Sequence, residues 1–402
     1  MGLPLDGIRV LEVAEWILGP SACAVLGDWG AEVIKIEHPV RGDGGRGVLA
    51  SGVIPMAKIN YLFEVANRNK KSVAVDLNTE KGREIVNKLV ARSDVFLTNF
   101  LTTARKRLKL EHEDLAPINP GLIYIKVHGY GQKGPEIERG GYDFAAFWAR
   151  GGIASVLAEP GASPPAQRPG FGDMTGAMFS AGAVAAALFA RERTGKGQAI
   201  DVSLLGSALW VNALDTLAAY MSGQEIAQMP RGKVGNPLWN TYQALDGKWL
   251  QLVNLQSDRY WPGLCKAIGR EDLEHEPRFE SHEERAQNNT ALIELLDDVF
   301  ATRPAGEWGR LLDDNGVLWA PMQRVSELAS DPQVVANQYL VDIDHPVHGP
   351  TKLVASPAQF NDMPASIRTP APELGQHTEA VLLELGYSWG DMEKLKEEGV
   401  IV

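Results

Sequence analysis

The sequence is poor in cysteine, lacks common redox and metal motifs, and has no nucleotide-binding motif after its first predicted strand. Its two cysteines, Cys23 and Cys265, lie outside any CxxC pair, which excludes a disulfide framework and favours a reducing compartment. The eight histidines form no HxH or HxxxH pair, so we predict no transition-metal site. A Walker A sequence and a G-x-S-x-G elbow are absent, and no G-x-G-x-x-G follows the first predicted strand. We therefore predict no NTP hydrolysis and no nicotinamide or flavin cofactor.

Basic residues are also fewer than acidic residues. With 39 Lys and Arg against 51 Asp and Glu, the net charge is -12, which argues against general binding to nucleic acid or to anionic membranes. The start MGLPLDGIRVLEV lacks a basic segment followed by a long apolar core, so we expect no signal peptide. The apolar run 178–190 is too short to span a bilayer and predicts a core helix. The expected location is the cytoplasm.

Strands and helices alternate in the first part of the chain. The 402 residues suggest two domains, or one large domain with an insertion. A short apolar strand, a helix and a second strand within some thirty residues predict a parallel sheet with right-handed crossovers. The layout is that of a Rossmann-like fold. The predicted strands are residues 7–13, 31–37, 72–76, 94–98 and 122–127.

The segment 168–210 contains an isolated acidic residue, Asp173, in the sequence GDMTG ahead of an apolar run. Asp before a helix predicts an N-cap, and Gly195 predicts the end of that helix. At a helix N-terminus, backbone N–H groups and the helix dipole would keep the carboxylate ionised. The residues alone leave two alternatives open, a structural cap and a chemical role.

Two basic clusters lie near the predicted strand ends, at residues 67–71 and 105–107. They are able to pair with the phosphates of a small anionic ligand, or to form a solvated loop and a solvated helix face. Arg41 and Arg46 add positive charge in the glycine-rich loop HPVRGDGGRG, which we expect to be mobile, either over a ligand or as a plain connection. His128 ends a strand at the carboxyl edge of the sheet, where ligands bind in this fold class.

A series of motifs in fixed order resembles the class III CoA-transferase family, which includes the α-methylacyl-CoA racemases. The match is collinear over residues 7–210, resumes with GNPLWNTYQALDGKWLQL, GVLWAPM and DPQVV, and ends at PELGQHTEAVLLELGYS. The motifs of the first part are VLEVAEWILGP, GAEVIKIE, NRNKKSVAVDL, NF, GYGQKGP, GYDF, GDMTGAMF and ERTGKGQAIDVSL.

The resemblance implies an α/β fold of two domains in an interlocked, intertwined homodimer. A large Rossmann-like domain takes residues 1–221 and 327–402, and a smaller α+β domain takes residues 222–326. The family's nucleophile, the aspartate of the GD motif, is Asp173 here. The implied function is an acyl-CoA:carboxylate CoA-transferase that works through aspartyl anhydride and aspartyl-CoA thioester intermediates, as carboxylate nucleophiles need no general base.

The resemblance implies that coenzyme A takes part as a substrate, and that the partners are an acyl-CoA and a carboxylic acid. It implies no metal or redox cofactor. It also implies which residues bind coenzyme A, by the loops that they occupy. These residues are Trp16, Ile17, Leu18, His38, Val75, Leu77, Asn78, Asn99, Phe100, Arg107, Tyr142 and Asp143.

Departures from the family motifs bear on the alternatives, a racemase or epimerase and a non-catalytic CoA-binding protein. Racemases have a histidine where this chain has Tyr142 and a glutamate near Gln256, so the base for α-proton exchange is missing. Ile17 replaces a glutamine of some transferases. The segment 232–237 aligns with a glycine-rich lid, and a simple connection is the alternative. We expect Phe147 and Trp148, if not in the core, to line a pocket for aryl or bulky acids.

Overall fold

The computed structural model describes residues 2–52, 55–226, 228–361 and 366–402. The chain forms two compact units. The larger consists of Met1–Leu157, Pro164–Ile226 and Gln333–Val402, and the smaller of Ala158–Ser163 and Ala227–Pro332. The predicted boundaries, at residues 221 and 326, stay a prediction.

The larger unit contains a sheet of six parallel strands in the order β3-β2-β1-β4-β5-β6. This is the Rossmann order, so the predicted fold class is confirmed. Five strands lie where the sequence predicts them, and the sixth was not predicted. The strands are β1 (Arg9–Val13), β2 (Glu32–Glu37), β3 (Lys70–Ala74), β4 (Val95–Thr98), β5 (Ile123–His128) and β6 (Gln198–Ser203).

Helices cover both faces of this sheet. One face packs against α1 and α7 through Ala22, Leu26, Ala181 and Val184, all fully buried or nearly so. The other face packs against α3 through residues that include Ile85. The helices are α1 (Leu18–Asp28), α2 (Tyr61–Asn67), α3 (Glu80–Val90), α4 (Thr102–Leu108), α5 (His112–Leu115), α6 (Ile153–Val156), α7 (Phe171–Thr194), α8 (Leu204–Val211) and α9 (Ala213–Ser222).

Helix α7 is longer than the predicted apolar run and ends at Gly195 (φ 67°), as predicted. With 24 residues it is long and apolar enough, by length and composition alone, to cross a membrane. The length argument applies only to the run 178–190, and the helix that contains this run is longer. One face of the helix nevertheless lies in the buried core, where Ala177, Ala181 and Leu188 pack near α1. A buried core face is typical of a helix inside a globular unit.

The smaller unit has a three-stranded antiparallel sheet packed on helices through Tyr242, Trp261 and Trp308. The amphipathic helix predicted at 288–301 is present as α12 and buries Leu292 and Leu296. The elements are β7 (Thr241–Gln243), β8 (Trp249–Leu252), α10 (Ser257–Ala267), α11 (His282–Gln287), α12 (Asn289–Phe300), α13 (Ala305–Asp314) and β9 (Trp319–Pro321).

The segment after residue 332 packs into the core of the large unit. Val381, Leu382 and Leu395 join the hydrophobic cluster on the α3 face of the sheet. Backbone pairing between Val75 and Ile401 extends β3 beyond its last residue. The elements are α14 (Pro332–Ala336), β10 (Leu340–His345), β11 (Gly349–Val354), α15 (Thr378–Glu384) and α16 (Trp389–Glu397).

Candidate active site

A cavity of about 300 Å³ opens at the carboxyl edge of the parallel sheet and contains Asp173. Loops after β1, β4 and β5 form its walls, as expected for a ligand site in this fold. We call it the nucleophile cavity. Its lining residues are Glu15, Trp16, Ile17, Leu18, Asn99, Phe100, Leu101, Val127, His128, Gly129, Gly140, Gly141, Tyr142, Asp173 and Leu204.

Asp173 is the third residue of α7, not its N-cap. The N-cap is Gly170, whose φ of 88° lies in the left-handed region. The predicted capping role of Asp173 is therefore wrong. Because the helix begins earlier than the sequence pattern predicted, the Asp173 carboxylate lies within the first turn of the helix and lines the cavity.

The Asp143 side chain caps the helix instead, from the start of a short π-helix, Phe144–Ala149. Its Oδ1 accepts hydrogen bonds from the Gly172 N–H at 3.0 Å and from Gln167 Nε2 at 2.7 Å. Asp143 is 3 % exposed and, unlike the other predicted coenzyme A contacts, lines neither of the cavities that hold those residues. The structure thus gives Asp143 a place behind the nucleophile cavity.

The two glycines that frame Asp173 make room for packing. A Cβ on Gly172 would lie 2.4 Å from Asp143 Oδ1 and 2.3 Å from Phe147 Cγ, and a Cβ on Gly176 would lie 2.7 Å from Leu18 Cδ1. Such distances are far inside van der Waals contact. Both glycines are therefore explained by the close approach of neighbouring side chains to α7.

The electrostatic environment of Asp173 raises its pKa to about 8, first through burial and second through the charge of Asp143. Burial also raises the pKa of Asp143, but the hydrogen bonds from Gln167 and Gly172 oppose that shift. The expectation that the helix N-terminus keeps Asp173 ionised is wrong, because burial and the charge of Asp143 together raise its pKa. Of the two carboxyl groups, Asp143 is the one that ionises first.

The loop after β1 is held by buried charges. Asp43 Oδ1 accepts the Trp16 N–H at 2.8 Å, and Asp43 Oδ2 lies 2.8 Å from Lys35 Nζ, with both side chains fully buried. Trp16 has a φ of 70°, which is rare for a bulky residue. The buried ion pair therefore fixes a strained backbone beside the nucleophile.

Asn99 supports the same loop. Its amide donates to the Glu15 carbonyl at 2.7 Å and accepts the Glu15 N–H at 3.1 Å. Asn99 lines the nucleophile cavity as predicted for a coenzyme A contact, but both polar ends of its amide bind the Glu15 backbone. The hydrogen bonds connect the ends of β1 and β4.

The aromatic wall of the cavity differs from the expectation. Phe147 is 4 % exposed and belongs to the core, and the Trp148 indole donates to the Pro165 carbonyl. Phe147 therefore takes the predicted core position, and neither residue lines this cavity. Trp16 and Tyr142 form the wall instead, with ring centroids 5.9 Å apart in an edge-to-face arrangement.

His128 is a cavity residue to which the sequence analysis assigned no role. Its Nδ1 accepts the Gly131 N–H at 2.9 Å, which places the ring proton of the neutral form on Nε2. That nitrogen has no hydrogen-bond partner among the described residues. Burial lowers the pKa of His128 to about 4, so the ring is neutral at physiological pH. The signal in the sequence that could have indicated this residue was the His-Gly pair at the end of a predicted strand.

A second cavity, of about 250 Å³, adjoins the first and shares Glu15, Phe100 and Leu101 with it. It lies at the carboxyl ends of β2, β3 and β4, and we call it the basic cavity. It brings together the remaining predicted contacts, His38, Val75, Leu77, Asn78 and Arg107. The full lining is Glu15, Ile36, Glu37, His38, Arg41, Val75, Leu77, Asn78, Phe100, Leu101, Ala104, Arg107 and Leu108.

Only part of the predicted basic surface faces this cavity. Arg41 and Arg107 line it, and both are exposed. Neither makes an ion pair with any residue that the structure describes. Guanidinium groups that remain unpaired in a cavity are suited to bind phosphate.

The cluster at residues 67–71 has a different role, which neither alternative predicted. Arg68 pairs with Asp28 at 2.7 Å and Lys70 with Glu12 at 2.6 Å, with these side chains at most 3 % exposed. These cations are internal counter-ions. Arg46 likewise pairs with Glu37 at 2.7 Å, so the glycine-rich loop is anchored by charge at several points.

The described part of the chain has no group of three His, Cys, Asp or Glu side chains placed to hold a metal ion. The segment 232–237 lies in the smaller unit, where Gly232, Val234 and Asn236 take part in hydrogen bonds to α12 and to Asn254. Its role as a lid stays a prediction.

Comparison with known proteins identifies the family of the chain. Residues 5–378 match CoA-transferase family III. The chain is 33 % identical to the (R)-2-hydroxy-4-methylpentanoate CoA-transferase of Clostridioides difficile, over 99 % of both chains. It is 33 % identical to the succinyl-CoA:glutarate CoA-transferase of Mus musculus, over 99 % of this chain and 90 % of that protein.

A solved structure shares the fold over nearly the whole length. The crystal structure of a CAIB/BAIF family protein from Brucella suis superposes with a TM-score of 0.82 and 32 % identity, covering 96 % of this chain and all of the other. The family match spans both compact units, and the sequence relatives are named as CoA-transferases. The chain therefore belongs to CoA-transferase family III, as the resemblance of its motifs predicted.

Proposed function

We propose that this protein is an acyl-CoA:carboxylate CoA-transferase in which Asp173 is the nucleophile. Family membership supports the transferase activity. The observation that carries the choice of nucleophile is the position of Asp173, a half-buried carboxyl group at the wall of a cavity that adjoins a basic cavity. A carboxylate between a phosphate-binding surface and an apolar wall is suitably placed to meet the thioester end of an acyl-CoA.

The proposed reaction conserves the thioester bond energy in covalent intermediates. The Asp173 carboxylate attacks the acyl-CoA carbonyl, forming an aspartyl–acyl anhydride and releasing CoA thiolate. The thiolate attacks the aspartyl carbonyl of the anhydride, which forms aspartyl-CoA thioester and releases the donor acid as its carboxylate. An acceptor carboxylate then reverses both steps and leaves with CoA. Each step exchanges one leaving group for one nucleophile and needs no general base.

The raised pKa of Asp173 bears directly on this scheme. With a pKa of about 8, only about a tenth of the molecules carry an ionised Asp173 at pH 7. A carboxylate in a poorly solvated site is a stronger nucleophile than one in water, because hydration stabilises the anion before attack. We therefore propose that burial beside Asp143 gives a small but reactive ionised population.

We further propose that the basic cavity binds the phosphates of coenzyme A. Arg41 and Arg107 supply the positive charge. Both side chains are exposed, so their guanidinium groups are accessible to phosphate. The shared residues Glu15, Phe100 and Leu101 mark the route from this cavity to Asp173. Trp16, Ile17, Leu18 and Tyr142 would then flank the pantetheine and acyl ends.

Trapping tests the proposed nucleophile. After incubation with acetyl-CoA, borohydride should reduce an aspartyl thioester to an alcohol, and peptide mass spectrometry should find that change at Asp173. Asp173→Asn should remove both the adduct and the turnover, whereas Asp143→Asn should keep the adduct. An Asp173→Asn enzyme with full transferase activity would refute the assignment.

A charge variant tests the basic cavity. Arg107→Gln should raise KM for acetyl-CoA by about tenfold, the effect of losing one charge-assisted hydrogen bond. The neighbouring Lys106→Gln is the control, because Lys106 does not line the cavity and should leave KM unchanged. Equal KM values for the two variants would place the phosphates elsewhere.

We also propose a homodimer in the cytoplasm. Every residue of α9 is at least partly exposed, and Leu214, Tyr220 and Met221 are 85 %, 84 % and 78 % exposed. Such an apolar surface on a globular unit indicates an interface, and the family resemblance implies that a second, interlocked copy covers it. The two cysteines are free and buried, which supports a reducing location.

Light scattering after size exclusion tests the dimer. Leu214→Glu should reduce the mass of the particle to that of one chain or abolish soluble expression. Val325→Glu changes a side chain of matched exposure, 86 %, on another segment and should leave the mass unchanged. A monomeric wild-type protein would overturn the proposal.

A further inference from the structure

The wall of the nucleophile cavity is built around a strained tryptophan. Trp16 has a left-handed backbone (φ 70°), a conformation that costs a bulky residue free energy and persists only where the surroundings impose it. A left-handed turn by itself would be served better by glycine. Its indole ring is therefore the feature that needs an explanation.

Several contacts fix this indole in place. The backbone N–H of Trp16 is bound by Asp43, and Asp43 is neutralised by the buried Lys35. A Cβ on Gly44 would lie 2.7–3.1 Å from the indole ring, so the ring packs directly on the backbone there. The Tyr142 ring also packs against the indole, edge to face. The indole is thus preorganised before any ligand binds.

The charges of the cavity lining disfavour acids that carry a second carboxylate. The described lining residues include no Lys or Arg. Glu15 and Asp173 are acidic, and His128, with a pKa lowered to about 4 by burial, is neutral at physiological pH. A second carboxylate on the substrate would find no cation in this lining and would be repelled by Glu15.

We propose that the nucleophile cavity selects monocarboxylic acids that carry an aromatic or bulky apolar group, and that Trp16 is the specificity-determining residue. The proposal rests on the proposed transferase function of Asp173. The acid's apolar group packs against the Trp16 and Tyr142 rings, while its carboxylate or thioester carbonyl meets Asp173. Aromatic pairs prefer such edge-to-face or offset contacts. Lys35 and Asp43 are positioning residues, since they act through the Trp16 backbone.

Comparison of kcat/KM values for different acceptor acids measures the selectivity of the cavity. With acetyl-CoA as donor, kcat/KM should be at least tenfold higher for 3-phenylpropanoate than for propanoate and higher again than for succinate. Trp16→Gly suits the left-handed backbone but removes the ring, so the ratio of phenylpropanoate to propanoate should fall at least fivefold. Trp16→Phe should retain most of it. Trp389→Ala changes an exposed tryptophan on α16 and should leave the ratio unchanged.

A charge variant tests the exclusion of dicarboxylates. Glu15→Gln keeps the side-chain length and the backbone bonds to Asn99, and should raise kcat/KM for succinate relative to propanoate. A wild-type enzyme that prefers succinate would overturn the proposal. So would a Trp16→Gly enzyme whose acid ratio is unchanged, even if its KM for acetyl-CoA rises, because the ring would then line only the coenzyme A route.

Binding separates a failure of this proposal from a failure of the proposed function. Saturation-transfer NMR detects 3-phenylpropanoate on the protein without turnover. A wild type that is inactive with every acid, yet binds 3-phenylpropanoate in a Trp16-dependent way, contradicts the transferase function alone. Activity with acids and equal binding to wild type and Trp16→Gly contradicts the role of Trp16 alone.

Discussion

The Asp143 carboxylate accepts the Gly172 N–H at 3.0 Å, so the first turn of α7 is capped by a residue from an earlier segment of the chain. This relationship places two carboxyl groups at one helix end, Asp143 buried and Asp173 half-buried. Only Asp143 accepts a hydrogen bond from the helix backbone. The negative charge of Asp143 is one of the two causes of the raised pKa of Asp173. Asp143 thereby tunes the residue that we propose as the nucleophile.

Replacing Asp143 by Asn should lower the pKa of Asp173, since it removes the negative charge and keeps an oxygen for the Gly172 N–H. The single-turnover rate of enzyme acylation should then rise at pH 6–7, and its pH profile should shift to lower pH. The control Asp6→Asn removes an exposed charge and should leave the profile in place. A shift to higher pH would contradict the electrostatic argument.

The raised pKa of Asp173 also makes stability depend on pH. Between the ordinary pKa of 3.8 and about 8, the folded protein holds a proton that the unfolded chain has released, so stability falls as pH rises. Relative to Asp173→Asn, wild type should lose up to about 1.4 kcal/mol of unfolding free energy per pH unit in this range. Urea unfolding of both proteins at pH 5.5, 6.5 and 7.5 measures the difference. A constant difference would contradict the shift.

Adding one methyl group at Gly172 should be costly. Its Cβ would meet Asp143 and Phe147 at 2.4 and 2.3 Å, so Gly172→Ala should destabilise the protein by about 1–3 kcal/mol and impair turnover by displacing Asp173. Gly182→Ala is a matched control on the same helix, because a Cβ there meets nothing within 4 Å. That variant should be stabilised by about 0.5–1 kcal/mol. Urea midpoints distinguish the two, and equal effects would refute the packing argument.

Breaking the buried ion pair under Trp16 should be far more harmful than breaking a surface pair. Lys35→Met leaves Asp43 buried without its cation and should cost about 3–5 kcal/mol of unfolding free energy. Lys352→Met removes a partner of Asp342 at 2.6 Å, where the two side chains are 48 % and 79 % exposed, and should cost less than about 1 kcal/mol. Similar losses in the two variants would show that the Lys35–Asp43 pair is not desolvated.

The sequence predicts the sheet well because hydrophobic alternation and short turns are local signals. Strands β1 to β5 follow such patterns, and motif order identifies the family. The start of α7 was missed because the side chain that caps it belongs to Asp143, 29 residues before Gly172. No local pattern encodes a cap from so far along the chain. Strand β6 was missed because QAIDVS has partly exposed residues and a weak apolar pattern.

The charges of the site were harder still to interpret. Arg68 and Lys70 look like surface cations in the sequence, yet they pair with Asp28 and Glu12 from other strands and helices. Whether a basic residue faces solvent, a ligand or a buried acid depends on tertiary pairing, which composition does not contain. The aromatic wall is a similar case, since the left-handed turn that presents Trp16 requires Asp43 and Lys35.

The pairing of Val75 with Ile401 has a consequence for biosynthesis. The strand end that borders the basic cavity is completed by a residue near the far end of the described chain, and the smaller unit is synthesised in between. The large unit therefore cannot complete its fold while the ribosome is still translating the segment around residue 400. Contacts of such sequence separation slow folding, and until then the hydrophobic face that α15 and α16 cover is available to chaperones.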